Sequence, residues 1–218
     1  MPNSLSEKAI ARLSVYRRVL TELLRDGRAS VRSDDLASAA GVTASQARRD
    51  LMLVSALGTN KGYDTAKLLR AVEDLLDPHE PQEVALVGVG NIGRALLAYF
   101  AGRRPKLDIT VAFDNDPSVT GRLIHGCPCR HVTELHELIS QREIHTAIIA
   151  VPESAAQQVA ESLVAAGVRG IMNFAPVRLR IPEGVYVDSV DLTSSLEKAA
   201  FFARQRSREA KGLSNHAE

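Results

Sequence analysis

The chain has 218 residues, 45% of them apolar, with a formal net charge of only +1, which leaves room for two small domains rather than one large core. Near-neutral charge excludes a nucleic-acid role argued from bulk basicity, so any such role must come from local patches. No apolar run approaches the ~20 residues that span a bilayer and the polar N-terminus has no secretory segment, so a cytoplasmic protein is expected.

The N-terminal segment is expected to be helical and locally basic, carrying Arg12, Arg17, Arg18, Arg25, Arg28, Arg32, Arg48, Arg49 and Lys61. Leu13, Tyr16, Leu20, Leu23 and Leu24 recur at helical spacing until Asp26-Gly27 stops the run. Ser33 is expected to cap a second helix with Leu36, Ala37 and Ala40 inward and Gly41 at the turn. Thr43 caps a third helix, whose inner stripe is Ala47, Leu51 and Val54. Ser45 and Arg49 then project away from that stripe with Arg48 at its flank, the geometry of a recognition helix.

A helix entering the major groove needs small residues such as Ala44 and Ser45 for close approach, then guanidinium groups that reach guanine edges or phosphates. Beyond it, Gly58-Thr59-Asn60-Lys61-Gly62-Tyr63 reads as a hairpin tip with one exposed cation, a wing lying on the backbone or minor groove. The candidate DNA contacts are Ser45, Gln46, Arg48, Arg49, Lys61, Tyr63 and Arg12. A surface helix with two solvated arginines is the plainer alternative.

From Glu83 the period changes. Val84-Ala85-Leu86-Val87 suits a strand buried on both faces, and Gly88-x-Gly90-x-x-Gly93 follows it and opens a helix expected to turn Ile92, Ala95, Leu96, Tyr99 and Phe100 inward. These glycines permit a tight turn, close approach to a pyrophosphate and close helix packing, with the helix N-terminus facing the anion. The next strand, Ile109–Phe113, ends at Asp114. An acidic side chain about 20 residues after the glycines accepts hydrogen bonds from a ribose diol and repels a 2′-phosphate, which favours NAD(H) over NADP(H).

Thr146–Val151, Gly170–Phe174 and Val185–Val190 are further strands, with a helix from Ser154 to Ala166 between the first two. Their alternation implies a parallel sheet with its ligand at the carboxyl edge. Val151-Pro152 and Asn173-Phe174-Ala175-Pro176 are expected where the nicotinamide half rests. The candidate nucleotide contacts are thus Gly88, Val89, Gly90, Asn91, Ile92, Gly93, Asp114, Val151, Pro152, Asn173 and Phe174. A Rossmann-like domain with another ligand, such as coenzyme A, is the alternative.

After Asp191 a last helix carries Leu192, Leu196, Ala199, Ala200 and Ala203 on one side with Phe201 and Phe202 nearby. No later element covers that face, so a second subunit is the expected cover, against the alternative of packing on its own Rossmann domain. Cys127 and Cys129, with His131 and His136 beyond, could be read as a metal site. Pro128 and a short edge strand account for the segment without metal, and the two thiols fit a reducing compartment.

Arg48-Arg49-Asp50, Gly62-Tyr63, Val84 to Leu96, Ala112-Phe113-Asp114, Asn173 to Leu179 and Val190-Asp191-Leu192-Thr193 together resemble the redox-sensing transcriptional repressor family Rex over nearly the whole chain. The resemblance implies winged-helix DNA-binding domains, residues 1–79, and Rossmann NAD(H)-binding domains, residues 80–190. The latter would be joined by domain-swapped helices, residues 191–211, followed by a tail, 212–218. It implies a homodimer on palindromic double-stranded operator DNA, released when NADH closes the dimer, with NAD⁺ competing weakly. By position, Tyr99 resembles the tyrosine near the nicotinamide and Asp191 the residue that reaches it in the DNA-bound form. Phe201 or Phe202 would approach the partner's pocket. Tyr99 also has a plain reading as a core residue. Ser14, where the family usually has Pro, and Leu53–Gly58, which lacks its paired Phe-Gly, depart from the pattern and bear on wing geometry. Against an enzyme, no substrate domain follows the sheet and no Tyr-x-x-x-Lys pair is present, which leaves an NAD-dependent oxidoreductase as the weaker alternative.

Overall fold

In the computed structural model, residues 5–54, 58, 62–77, 79–103 and 106–214 are described, with side chains through residue 208. The chain divides into two compact units, Met1–Glu80 and Pro81–Glu218.

The first unit runs α1 Glu7–Arg25, β1 Ser30–Val31, α2 Ser33–Ala40, α3 Ala44–Leu53, β2 Tyr63–Asp64 and α4 Thr65–Leu76. The α1 stripe buries Leu13, Tyr16 and Leu20, and Ala47 and Leu51 of α3 are equally buried. With Leu36, Leu68 and Val72 they form one core. Thr43 caps α3 by accepting the Gln46 N–H at 3.2 Å. Ser33 does not cap α2: it is the first helical residue, and the Asp35 carboxylate instead reaches back to the Arg32 N–H at 3.1 Å. The strand of Tyr63 pairs antiparallel with the distant β1, Val31 opposite Tyr63. The expected wing tip at 59–61, including Lys61, lies outside the described residues.

The second unit contains β3 Gln82–Val87, α5 Asn91–Phe100, β4 Leu107–Asp114, β5 Leu123–Ile124, β6 Cys127–His131, α6 Leu135–Gln141, β7 Thr146–Ile149, α7 Glu153–Ala166, β8 Gly170–Asn173, β9 Tyr186–Ser189 and α8 Leu192–Ser214. The sheet order is β5-β6-β4-β3-β7-β8-β9, parallel except for the β5–β6 pair. The cysteine strand β6 is therefore next to the edge rather than at it.

Because a strand alternates its side chains between faces, β3 can hold helices on both sides. Ala85 and Val87 pack with Leu135 and Ile139 of α6 and Ala160 and Leu163 of α7. Val84 and Leu86 pack with Leu97 of α5 and with Cys127 and Cys129. The chain order reverses direction across the sheet at β3, so a crevice opens beyond its carboxyl end.

Helix α5 meets the sheet through a face other than the one expected. Gly93 and Leu97 are buried, with Leu96 and Phe100 half-buried, whereas Ile92, Ala95 and Tyr99 point to solvent. Helix α8 likewise leaves Leu192, Leu196, Phe201 and Phe202 exposed, so packing on its own domain does not cover it.

Candidate functional site

Three strands end in register where the glycines begin: Val87 lies opposite Phe113 on one side and Ile149 on the other. The Gly88 N–H bonds the Phe113 carbonyl and the Ala150 N–H bonds the Val87 carbonyl, each at 2.8 Å. The turn, Asp114 and Val151-Pro152 therefore share one edge. Gly88 has φ +98°, and a Cβ there would lie 2.6 Å from the Ala150 carbonyl oxygen. At Gly93 a Cβ would fall 1.9 Å from the Gly88 carbonyl oxygen, so only glycine lets α5 leave the strand this closely. Gly90 caps α5 without a side-chain partner, and the first helical hydrogen bond runs from the Arg94 N–H to the Gly90 carbonyl. The N–H groups of Asn91, Ile92 and Gly93 have no partner within the helix, the arrangement that can receive an anion.

Two cavities flank this turn. One, of about 650 Å³, is lined by Gly88, Gly90, Arg94, Asp114, Val151 and Pro152, among others. Asp114 accepts the Val89 N–H at 2.6 Å and the Asp116 N–H at 2.9 Å, which fixes its carboxylate in the lining of this cavity. The other, of about 450 Å³, is lined by Ile92, Phe174, Pro176, Arg178, Asp191 and Leu192, among others. Both volumes suit portions of a small-molecule ligand.

The residues expected around the nicotinamide are divided by this geometry. Phe174 lines the second cavity, whereas Val151 and Pro152 line the first with Asp114. Asn173 is buried rather than presented: its amide donates to the carbonyls of Ala175 and Val177 at 3.2 and 3.0 Å and accepts the Ala175 N–H at 3.0 Å. It holds the turn that carries Phe174 and Pro176. Asp191 caps α8, accepting the Ser194 N–H at 2.8 Å, and lines the second cavity from there. Tyr99 lines neither cavity of its own chain. It stands about 12 Å along α5 from Asn91, edge-on to Phe100 with the Arg103 guanidinium 4.1 Å above its ring. Phe201 and Phe202 stack edge to face about 15 Å along α8 from Asp191.

On α3, Ser45, Arg48 and Arg49 are exposed and Gln46 is half-buried. The Arg48 Nε donates to the Ser33 Oγ at 3.2 Å. Arg12 points elsewhere: its Nε and Nη2 hold the buried Asp50 carboxylate at 2.6 and 2.7 Å. Arg17 is likewise paired, with Asp77 at 2.6 Å. Tyr63 lays its ring against Gly58, where a Cβ would come within 2.9 Å of it. The signal for the Asp50 site was in the sequence, because a carboxylate three residues after Ala47 on an inward stripe needs a buried partner.

Both cysteine thiols are buried. Burial, then the neighbouring Cys129 and Asp108, push the Cys127 thiol up to about 11, and burial raises Cys129 as well. Among the described residues no group of three or more His, Cys, Asp or Glu side chains is placed to hold a metal. At pH 8 the Cys127 thiolate fraction would be about a thousandth. A colourless aromatic disulfide reagent should therefore titrate neither thiol in the folded protein and both after denaturation. Fast native reaction would contradict this environment.

Two family models match the chain. One described as "CoA binding domain" covers residues 79–177, and one described as "Putative DNA-binding protein N-terminus" covers residues 4–51. The chain is 38% identical to the "Redox-sensing transcriptional repressor Rex" of Streptococcus uberis over 93% of this chain and 96% of that protein. It is 40% identical to the protein of the same name from Syntrophobacter fumaroxidans over 88% and 92%. Among solved structures it is similar to the Rex-family repressor RSP in complex with β-NADH, with a TM-score of 0.85 and 29% identity over 96% of this chain and 99% of that one. Against RSP bound to β-NAD⁺ and operator DNA the TM-score is 0.83 at 29% identity, covering 98% and 99%.

Proposed function

This chain belongs to the Rex family of redox-sensing transcriptional repressors, and from that premise we propose that it represses transcription as a cytoplasmic homodimer, binding operator DNA and leaving it when NADH binds. Residues 1–79 are assigned to DNA, 80–190 to the nucleotide and 191–211 to dimerisation. The observation that carries this reading is the pair of cavities on either side of an uncapped helix N-terminus, with Asp114 in one and Phe174 in the other. The first is assigned to the adenosine half and the second to the nicotinamide.

NADH and NAD⁺ differ by a positive charge on the nicotinamide ring. The second cavity offers Ile92, Phe174, Pro176, Val177 and Leu192, with Arg178 and the capping Asp191 also lining it. A neutral ring enters such a lining more cheaply than a cation, whose one acidic neighbour there, Asp191, is already engaged by the Ser194 N–H. Differential affinity is what lets one redox form shift a dimer between two arrangements. Moving it from mostly bound to mostly released requires a preference of about 10⁴-fold. None of the residues lining this cavity is His, Lys or Tyr, and its one carboxylate, Asp191, is engaged in capping α8, so the nucleotide is proposed as an effector and not a substrate.

Titrating NADH, NAD⁺ and NADPH against protein bound to a palindromic duplex tests the reading. NADH should release DNA at the lowest concentration, and equal release by NAD⁺ would overturn it. Coenzyme A belongs in the same series, because one family model that matches carries its name. It is expected to fail, since a ribose phosphate would face the Asp114 carboxylate. Asp114→Asn keeps the shape and removes the charge, so it should weaken NADH by about tenfold and narrow the discrimination against NADPH. An unchanged ratio of the two affinities would move the ribose away from Asp114.

A further inference from the structure

The hydrogen bonds around Asp50 do more than satisfy a buried charge. Asp50 lies on the inward side of α3 at 2% exposure. Its carboxylate accepts from Arg12 Nε and Nη2 at 2.6 and 2.7 Å, from the Tyr16 hydroxyl at 2.9 Å and from Gln46 Nε2 at 2.9 Å. Arg12 grips both oxygens from α1 and Tyr16 holds one of them, so the carboxylate has a fixed place and direction. The remaining donor, Gln46, is one turn earlier on the same helix, in the first turn after the Thr43 cap. That turn is the part of a recognition helix that meets base edges.

An ionised carboxylate only accepts, so it can take only the NH₂ end of the Gln46 amide. The amide is therefore not free to flip. One N–H goes to Asp50, which leaves the other N–H and the carbonyl oxygen Oε1 for a further partner. A donor beside an acceptor is the pattern that adenine N7 and its N6 amino group complement in the major groove. An unclamped glutamine can present either end and loses more rotamer freedom on binding.

We propose that Asp50 is a positioning residue for operator reading: by holding Gln46 Nε2 it fixes the amide so that Gln46 selects an adenine in each half-site. The inference rests on the DNA-binding reading above. Arg48, held at Ser33, and the exposed Arg49 then supply guanine or phosphate contacts beside it.

The test is selection from duplexes with randomised half-sites, using the full-length protein without NADH. The wild type should prefer adenine at one half-site position by about tenfold or more. Gln46→Ala should lose that preference alone, leaving the other positions unchanged. Asp50→Asn should relax the same position, because an amide at residue 50 can accept or donate and no longer dictates the sense of Gln46. Arg12→Lys is the second variant, keeping the charge balance while replacing a two-toothed grip by a point charge; it should relax the preference partly. The proposal is overturned if Gln46→Ala weakens all sequences uniformly, or if Asp50→Asn or Arg12→Lys folds and keeps the full adenine preference. Failure of the wild type to select any sequence above bulk duplex would overturn the DNA-binding reading itself, a separate result.

Discussion

Asp50→Ala is expected to destabilise the N-terminal unit by about 3–5 kcal/mol, because it strands the Arg12 guanidinium in a largely buried place where its side chain is only 18% exposed. The buried Tyr16 hydroxyl loses its acceptor in the same step. Domains commonly hold about 5–15 kcal/mol in all, so this one change consumes a large share of what an 80-residue unit can have. Nucleotide binding by the second unit should persist while DNA binding collapses. Circular dichroism melting paired with NADH fluorescence reads both, and an unshifted melting curve would show that the network contributes little.

The same site fixes the sign of an acid effect. Burial alone would push the Asp50 carboxyl up, but hydrogen bonds from Arg12, Gln46 and Tyr16 and the Arg12 charge outweigh it and hold the group below its ordinary value. Its contribution is therefore complete above the unfolded carboxylate range and is lost as pH falls through the lower folded value. Below that range the wild type and Asp50→Ala proteins should converge in stability.

Gly93→Ala should abolish the sensor while sparing the reading head. The added Cβ would meet the Gly88 carbonyl oxygen at 1.9 Å, and because that atom is backbone, no rotamer change relieves the contact. A cost of about 3 kcal/mol or more, the upper end for overpacking, corresponds to a loss of about 100-fold in affinity if the turn must open to bind. The variant should then hold operator DNA at NADH concentrations that release the wild type. Unaltered NADH affinity would show that this turn does not cradle the ligand.

Much of this architecture was legible in the sequence because its signals are local. The run from Val84 to Gly93 and on to Asp114 needs only a strand, a turn and a second strand in order, and the α3 stripe needs only helical spacing after a cap. Helix α5 misled because it has apolar residues on both faces: Ile92, Ala95 and Tyr99 on one, Leu96, Leu97 and Phe100 on the other. Hydrophobic spacing cannot choose between two such faces, but Gly93 can, since the residue lacking a side chain must be the one against the strand. Asn173 looked like a ligand contact because it lies at the carboxyl end of a strand at the ligand edge, and only the turned-back carbonyls of Ala175 and Val177 reveal its inward role. Arg12 was a candidate DNA contact because it is basic and belongs to the N-terminal segment, while the carboxylate it holds is 38 residues away.

The outward stripe of α5 and the bare length of α8 bear on the life of a newly made copy. Each solitary chain keeps several greasy side chains wet, a condition that the proposed pairing would largely end. Pairing at the proposed dimer face would then come before any encounter with a promoter, and the active pool would fall more steeply than total protein on dilution. Cell growth and division would thus tune the repressor's strength alongside the nucleotide it answers to.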